Sequence, residues 1–389
     1  MRMTLVGIST MLLLGLLTLD CSARRAWCDK PVPAEPAPTF RASDLLVSDI
    51  LRGPNYTIDE FVQVENYKYR FNLNTEWGVI PVHGLNMLEL RLREMYAIEN
   101  ARQLAQDPQF IEGIFQTVRN TPQGIKILLT EPQGALLRAP KGFERMVRGK
   151  LDPADRRAGS ENRRRLAVEV GCDPETTNPV LKSLLDGIAL RKGLGGFATK
   201  VGLGLALPGL GLLPTTAEIK EMVATKAPHE INNHIDEELA GFGVPDHVRQ
   251  QFCREISYTT TQRLLILQQL RSLRHVRNMP VLVERAIEAT TESEGLSVLQ
   301  ELKMLNELNQ RDPVEEIQNL GLPLARTKSG GLVIISAADY ITNTPEVMEA
   351  IAAHRRDHPN TPTTFFVAGR VSPLAKQSFA AAKIEVLER

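Results

Sequence analysis

Hydrophobic and polar residues alternate in three segments near the N-terminus, Tyr56–Val64, Asn66–Asn74 and Glu76–Val82. A period of two is typical of a strand with one face on a core and the other in water. Aromatic residues, which favour strands, also concentrate here, with six of them between Tyr56 and Trp77. We therefore predict a small antiparallel β-meander in this part of the chain.

The period lengthens after Gly84, where Leu85–Gln106 places its apolar residues on one face of a helix. Further predicted helices are Leu166–Leu190, Thr216–Thr225, Asp246–Cys253, Thr260–Arg277, Val281–Thr290 and Leu296–Asn309. Proline is tolerated at the first helical position, because its missing N–H would have no partner there. A capping residue followed by proline therefore predicts further helix starts at Asp107, Thr121, Asp152, Asp173, Asn178, Asp312, Thr344 and Ser372.

The last 70 residues change character. Leu322–Thr327 and Leu332–Ser336 flank a Ser-Gly-Gly turn and predict a β-hairpin. A helix from Thr344, a strand at Thr364–Ala368, a helix at Pro373–Ala382 and a strand at Lys383–Leu387 follow. This βαβαβ order favours parallel strands joined by right-handed crossovers. The predicted class is α+β: a mainly helical body, an N-terminal antiparallel β-meander and a C-terminal βαβαβ unit.

The first 23 residues have a basic start, an apolar run of about 15 residues and small residues at a cleavage position, which predicts a signal peptide and export. A lipid anchor at Cys21 and an uncleaved anchor are the alternatives. We divide the chain into a signal peptide (1–23), a proline-rich linker (24–52), a β-meander with amphipathic helices (53–165), a helical domain (166–318) and a small α/β domain (319–389).

Composition narrows the function classes only slightly. Lys plus Arg and Asp plus Glu number 46 each, so no overall positive field argues for a nucleic-acid partner. The local basic run Arg138–Arg165 is either a solvated connector or a surface for anionic lipid. Cys28, Cys172 and Cys253 form no metal-binding motif, and either one disulfide or three free thiols fits them.

The segment Gly193–Pro214 is the most apolar part of the mature chain and contains seven glycines. Ala198, Gly202 and Ala206 recur every four residues, which gives a helix face that allows close packing, and Pro208 ends that helix. Its apolar part Val201–Leu213, with 13 residues, is too short to span a bilayer straight. A buried hairpin, a membrane-inserting or interfacial segment and an oligomer contact are the three interpretations.

Cofactor and metal motifs are weak. Gly193–Ala198 matches a dinucleotide-binding fingerprint, but a predicted helix precedes it where that motif requires a strand. His229 and His234 are five residues apart, one more than in the zinc-protease motif. His354 and His358 have the right spacing for a shared metal, but the sequence indicates no third ligand. We predict no cofactor, no metal and no catalytic residue.

Ligands of open α/β sheets bind beyond the carboxyl ends of the parallel strands. In the C-terminal unit this rule selects Asp339, Arg370 and Ser372 as candidate ligand-binding residues. Arg370 and Ser372 at a helix N-terminus have the chemistry to bind an anion. Alternatively, Ser372 is only the N-cap of the last helix and Asp339 only a turn residue.

Several motifs together resemble a family of exported bacterial proteins with no assigned function. They are Gly53–Thr57, Trp77-Gly78, Leu88–Glu94, Gly171–Pro174, Thr177–Leu181, the glycine-rich segment and Gly369–Ala375. The resemblance covers most of the mature chain and implies export and a bacterial origin. It implies no activity and supplies no catalytic residues.

From these patterns we predict an exported, non-enzymatic protein of the periplasm or cell envelope. It would act on an anionic membrane surface or a protein partner, and not on nucleic acid. The alternative is binding of a small anion, or catalysis, at the C-terminal α/β unit.

Overall fold

A computed structural model describes residues 34–105, 108–120, 153–191 and 215–389. Within these ranges the protein has an N-terminal antiparallel sheet, a helical body and a C-terminal mixed sheet between two helical layers. The predicted α+β class is confirmed. The glycine-rich face of Ala198, Gly202, Ala206 and Pro208, and the fingerprint at Gly193–Ala198, lie outside the described residues.

The N-terminal sheet is antiparallel throughout. Its central strand pairs along one edge with the last strand, and along the other edge with the third and fourth strands in turn. Alternate residues of this central strand, Tyr69, Phe71 and Leu73, are buried, as the period of two predicts. The strands are β1 (Thr39–Arg41), β2 (Arg52–Gly53), β3 (Tyr56–Ile58), β4 (Phe61–Glu65), β5 (Lys68–Thr75) and β6 (Gly78–His83).

The stretch predicted as linker therefore contains regular structure in its second half. Strands β1 and β2, the helix α1 (Ala42–Leu45) and a 3₁₀ turn (Ser48–Ile50) lie there. Ala42 and Ile50 are buried in the same core as the sheet, so this part of the chain is integral to the N-terminal unit.

Four helices pack with this sheet. Leu88, Leu92 and Met95 are fully buried along one face of the first of them, and they join the sheet residues in one core. The helices are α2 (Leu85–Ala105), α3 (Pro108–Asn120), α4 (Pro153–Val170) and α5 (Pro179–Arg191). The predicted helix Leu166–Leu190 is interrupted, because α4 ends at Gly171, which has a φ of 91° that favours glycine.

Six further helices form the second core. Leu299, Leu302 and Leu305 of the predicted helix Leu296–Asn309 lie in this core, and all are at most 3% exposed. The helices are α6 (Ala217–Thr225), α7 (Pro228–Gly241), α8 (Asp246–Arg254), α9 (Thr260–Leu273), α10 (Pro280–Ile287) and α11 (Glu292–Arg311).

The elements of the C-terminal unit are β7 (Val314–Asn319), β8 (Pro323–Thr327), β9 (Leu332–Ser336), β10 (Tyr340–Ile341), α12 (Pro345–Asp357), β11 (Thr363–Val367), β12 (Arg370–Val371), α13 (Pro373–Ala381) and β13 (Ile384–Glu388). Its sheet has five strands in the order β13-β11-β9-β8-β7. The predicted hairpin β8–β9 is antiparallel, and β9, β11 and β13 are parallel. One face of the sheet joins the core of the helical body, and the other packs against the last two helices.

Two predicted helix starts are wrong. Asp173-Pro174 begins a turn, and Asp312-Pro313 precedes β7, which also begins before the predicted domain boundary at 319. In both places the residues after proline find partners in distant segments: the backbone of β7 bonds to that of Arg277, and Glu175 accepts a hydrogen bond from the Thr260 hydroxyl at 2.6 Å. These tertiary partners override the local signal.

The guanidinium of Arg355 holds the amino-end side of the parallel strands together. It donates to the carbonyls of His358 (3.1 Å) and Thr361 (2.9 Å), which precede β11. It also donates to the carbonyls of Ala382 and Lys383, which connect α13 to β13. One planar side chain thus satisfies four carbonyls, a geometry for which arginine is suited.

Candidate functional site

The carboxyl ends of β9 and β11 are the place where the candidate ligand residues were predicted. After these strands the chain forms a short parallel ladder, β10 with β12, which pairs Tyr340 with Arg370. Gly369 permits this close approach, because a Cβ there would lie 1.9 Å from the carbonyl oxygen of Asp339. The structure therefore places Asp339, Arg370 and Ser372 at one edge of the sheet.

Asp339 is 3% exposed, and its carboxylate is directed at the N-terminal unit. Its Oδ2 accepts hydrogen bonds from the backbone N–H groups of Tyr69 (2.9 Å) and Leu85 (3.1 Å). Leu85 is the first residue of α2, and the preceding Gly84 has no side chain to cap that helix. Asp339 thus acts as a capping carboxylate supplied from the C-terminal unit.

Burial raises the pKa of Asp339, while Lys68 and the two N–H donors act in the opposite direction. The Lys68 ammonium donates to the carbonyl of Ala337 (2.6 Å) and to the hydroxyl of Ser297 (2.9 Å). It therefore joins the N-terminal sheet both to the C-terminal unit and to α11.

The two-residue turn between β4 and β5 inserts into the same edge. Asn66 and Tyr67 have φ values of 50° and 62°, as the tight turn of a two-residue hairpin requires. The Tyr67 carbonyl accepts the N–H groups of Asp339 (2.9 Å) and Tyr340 (3.2 Å). Its hydroxyl forms a 2.9 Å hydrogen bond with the hydroxyl of Thr344.

Aromatic rings seal the interface beside this turn. The ring of Tyr340 lies 5.0 Å from that of Phe40 and 6.3 Å from that of Tyr69, between centroids. Burial raises the pKa of Tyr69, so this phenol stays neutral at ordinary pH. Contacts of this kind exclude water and add stabilisation beyond the buried area.

Ser372 is fully buried and has two roles. Its hydroxyl oxygen caps α13 by accepting the N–H of Ala375 at 3.0 Å. Its O–H donates to the carboxylate of Glu35, which also accepts the backbone N–H of Asn343 at 3.1 Å. The position at which an external anion was predicted is thus filled by a carboxylate of the chain itself.

Arg370 differs from the other two residues because its side chain is exposed. Its backbone N–H donates to the carbonyl of Asp339 at 2.9 Å. Among the described residues its guanidinium forms no ion pair within 4.0 Å. The three predicted residues share an edge, but Asp339 and Ser372 are satisfied by the N-terminal segments and only Arg370 is free for a ligand.

A buried ionic network, which the sequence analysis missed, joins α2, the connector before α5, and α11. Arg91 pairs with Glu94 (2.7 Å) and Glu292 (2.9 Å), and its guanidinium also donates to Thr177. Burial alone would lower the pKa of Arg91, but the two glutamates outweigh it and raise the pKa. Thr176 donates to Glu94 at 2.6 Å, so the network is well satisfied and structural in character.

The three arginines at the end of the basic run are used within the fold. Arg163 pairs with Asp186, Arg164 donates to the carbonyl of Thr225, and Arg165 pairs with Glu161. Residues 138–152 of the run lie outside the described residues.

The histidine and cysteine candidates have local partners. His354 forms a 3.1 Å hydrogen bond with Thr363, and its ring lies 4.9 Å from that of His358. His234 pairs with Glu238 at 3.0 Å. Cys172 and Cys253 are free thiols, and Cys28 lies outside the described residues.

The described ranges contain no group of three or more His, Cys, Asp or Glu side chains placed to hold a metal ion. In the same part of the chain, no helix combines the length and the low polarity needed to cross a membrane.

Local sequence patterns do not indicate most of the residues that build the edge at the carboxyl ends of β9 and β11. Glu35, Tyr67 and Lys68 make the decisive contacts, and each lies more than 220 residues from its partners. The only sequence signal for them is the position of Asn66, a residue that favours tight turns, between two alternating segments.

The chain matches no protein-family model, no curated protein and no solved structure.

Proposed function

We propose that this chain is an exported, non-enzymatic protein of the bacterial cell envelope that acts on an anionic membrane surface. One observation carries the non-enzymatic part of the proposal. The edge at which an open α/β sheet binds substrates is covered by the N-terminal sheet, through Asp339, Tyr67 and Lys68. A sheet edge used in this way supports a structural role for the C-terminal unit.

The membrane part of the proposal rests on sequence. Five Lys and Arg residues fall within 138–150, and the apolar segment Gly193–Pro214 follows later in the chain. Basic residues near an anionic surface each contribute about 1 kcal/mol of attraction. Arg163, Arg164 and Arg165 of the run are engaged within the fold, so we assign the surface contact to residues 138–150.

Sedimentation with vesicles tests this assignment. The mature protein should bind phosphatidylglycerol vesicles at low salt, and 0.5 M NaCl should release it by screening. Replacing Arg145, Arg148 and Lys150 by Gln should weaken binding about 100-fold at low salt, from about 1 kcal/mol per charge. The matched control replaces the exposed Arg254, Arg274 and Arg311 by Gln, which removes the same charge elsewhere.

Absence of binding at low salt would exclude the membrane version, and equal loss in both triple variants would exclude the assigned segment. A thermal shift with phosphate or citrate would instead favour the small-anion alternative at Arg370. At a concentration 100 times its Kd, such a ligand should stabilise the protein by about 2.7 kcal/mol.

A further inference from the structure

Residues 34–37 cross the edge of the C-terminal unit as a segment whose described hydrogen bonds all belong to Glu35. The backbone N–H of Glu35 donates to the carbonyl of Asn343 at 3.0 Å. In return, the N–H of Asn343 donates to the Glu35 carboxylate at 3.1 Å, and the Ser372 hydroxyl donates to the same oxygen. Ala34, Pro36 and Ala37 on either side are exposed. We name residues 34–37 the strap; the next residue, Pro38, is already bound to the N-terminal sheet through the N–H of Val64 at 3.3 Å.

The groups that receive Glu35 have partners of their own in the C-terminal unit. The amide side chain of Asn343 accepts a hydrogen bond from Ser378 of α13 at 2.8 Å and contacts Met348 of α12. The Ser372 N–H donates to the carbonyl of Ile341 at 2.8 Å. We define the acceptor groove as Asn343 and Ser372 with Arg370 beside them; these contacts of the C-terminal unit support it.

The chemistry of this groove is that of a peptide-binding site. The Asn343 carbonyl accepts the backbone N–H of the bound chain, and the Asn343 N–H donates to that chain's carboxylate. A buried hydroxyl at the start of α13 favours a carboxylate, which the helix dipole also stabilises. The exposed guanidinium of Arg370, which pairs with no carboxylate of the described residues, adds positive charge next to the groove.

We propose that the strap is an exchangeable intramolecular ligand and that the acceptor groove binds an extended, carboxylate-bearing peptide of a protein partner when the strap opens. The chain's own segment shows which chemistry fits: a glutamate with small and proline residues around it. In this state the strap inhibits the site. The proposal does not depend on the membrane function, because it concerns only the strap and the groove.

Fluorescence anisotropy with a labelled peptide of residues 31–39, PVPAEPAPT, tests the proposal on the full mature chain. Wild-type protein should bind weakly, because a tethered ligand competes at an effective concentration in the millimolar range. Glu35→Ala removes the competing carboxylate and should bind the peptide at least tenfold more tightly. A peptide in which Gln replaces Glu should bind the Glu35→Ala protein at least tenfold more weakly.

Asp44→Ala is the matched control, because Asp44 is an exposed carboxylate of the same N-terminal region that lies in α1. It should behave as wild type. Adding Ser372→Ala to Glu35→Ala should abolish the gained binding. The proposal is overturned if folded Glu35→Ala binds no peptide, or if it binds no better than the Asp44→Ala control.

Amide hydrogen exchange of the wild-type protein keeps the proposal testable if Glu35→Ala fails to fold. Among the hydrogen bonds of the described residues, opening of the strap breaks only those of Glu35, so the amides of Glu35 and Asn343 should exchange at least 100-fold faster than that of Phe366 in the sheet core. Equal rates would mean that the strap opens only with the whole fold, and that result would also overturn the proposal.

Discussion

The substitution Asp339→Ala should destabilise the protein, and the structure gives the size of the effect. The carboxylate accepts the N–H groups of Tyr69 and Leu85, and both would lose their acceptor. A buried donor left without a partner costs about 1–3 kcal/mol. Relief of the buried charge offsets part of this cost, so we expect a net loss of about 3 kcal/mol in the free energy of unfolding.

Asp339→Asn separates the hydrogen bonds from the charge. Both N–H groups point at a single oxygen, Oδ2, so an amide oxygen in the same place can accept both. Because burial raises the pKa of Asp339, the ionised carboxylate costs more in the folded state than a neutral group does. We therefore expect Asn to remain within about 1 kcal/mol of wild type.

The pH dependence gives a further check with a definite sign. A folded pKa above the unfolded value of about 3.9 means that the folded state binds more protons between these two values. The contribution of Asp339 to stability is therefore full at low pH and falls as pH rises through the raised value. Wild type should gain stability relative to Asp339→Asn as pH is lowered from 7 towards the unfolded pKa of about 3.9.

Urea unfolding followed by far-UV circular dichroism measures the loss, with Asp44→Ala as an exposed control. A chain of this size can unfold in more than one step. Amide exchange at Tyr69 and Leu85 localises the effect, and both amides should lose protection in Asp339→Ala only. An Ala variant within 0.5 kcal/mol of wild type, or an Asn variant as unstable as Ala, would refute the capping argument.

Three other substitutions test the packing by the same urea assay. Gly369→Ala should lower the free energy of unfolding by about 3 kcal/mol, because its Cβ would overlap the Asp339 backbone. Gly241→Ala, in an open helical position, should leave this free energy unchanged or raise it by up to about 1 kcal/mol. Arg91→Met leaves two buried glutamates unpaired and should cost about 3–5 kcal/mol; a loss under 1 kcal/mol would contradict the network. Arg355→Lys should cost about 2 kcal/mol, because an ammonium cannot reach four carbonyls at once; stability equal to wild type would contradict that clamp.

Local patterns predicted most of the regular elements, because those elements are set by neighbours in the sequence. The Ser-Gly-Gly turn between β8 and β9 and the caps Thr344 and Ser372 are where the sequence placed them. Strand β7 was missed, because only Val314 and Ile317 of its six residues are buried and its polar residues hide the alternation. Its backbone also bonds to Arg277, a tertiary contact that no local window contains.

The sequence likewise predicted one part of the candidate site and not the other. The rule for open α/β sheets located Asp339, Arg370 and Ser372 at one edge, since strand order alone determines that edge. It could not identify what fills the edge, because Glu35 comes from 308 residues before its partner Asn343. Contacts over such separations depend on how whole units pack, and no periodicity in the sequence records them.

The turn at Asn66 and Tyr67 indicates how the two units depend on each other. Tyr67 is a bulky residue with a positive φ, which costs about 1–2 kcal/mol outside glycine. Its carbonyl receives two N–H groups of the C-terminal unit, and its hydroxyl reaches Thr344. These contacts stabilise a conformation that the hairpin alone would adopt poorly. The docked edge is therefore part of what stabilises the N-terminal sheet, whereas residues 34–37 of the strap contribute no side chain to any of the described cores.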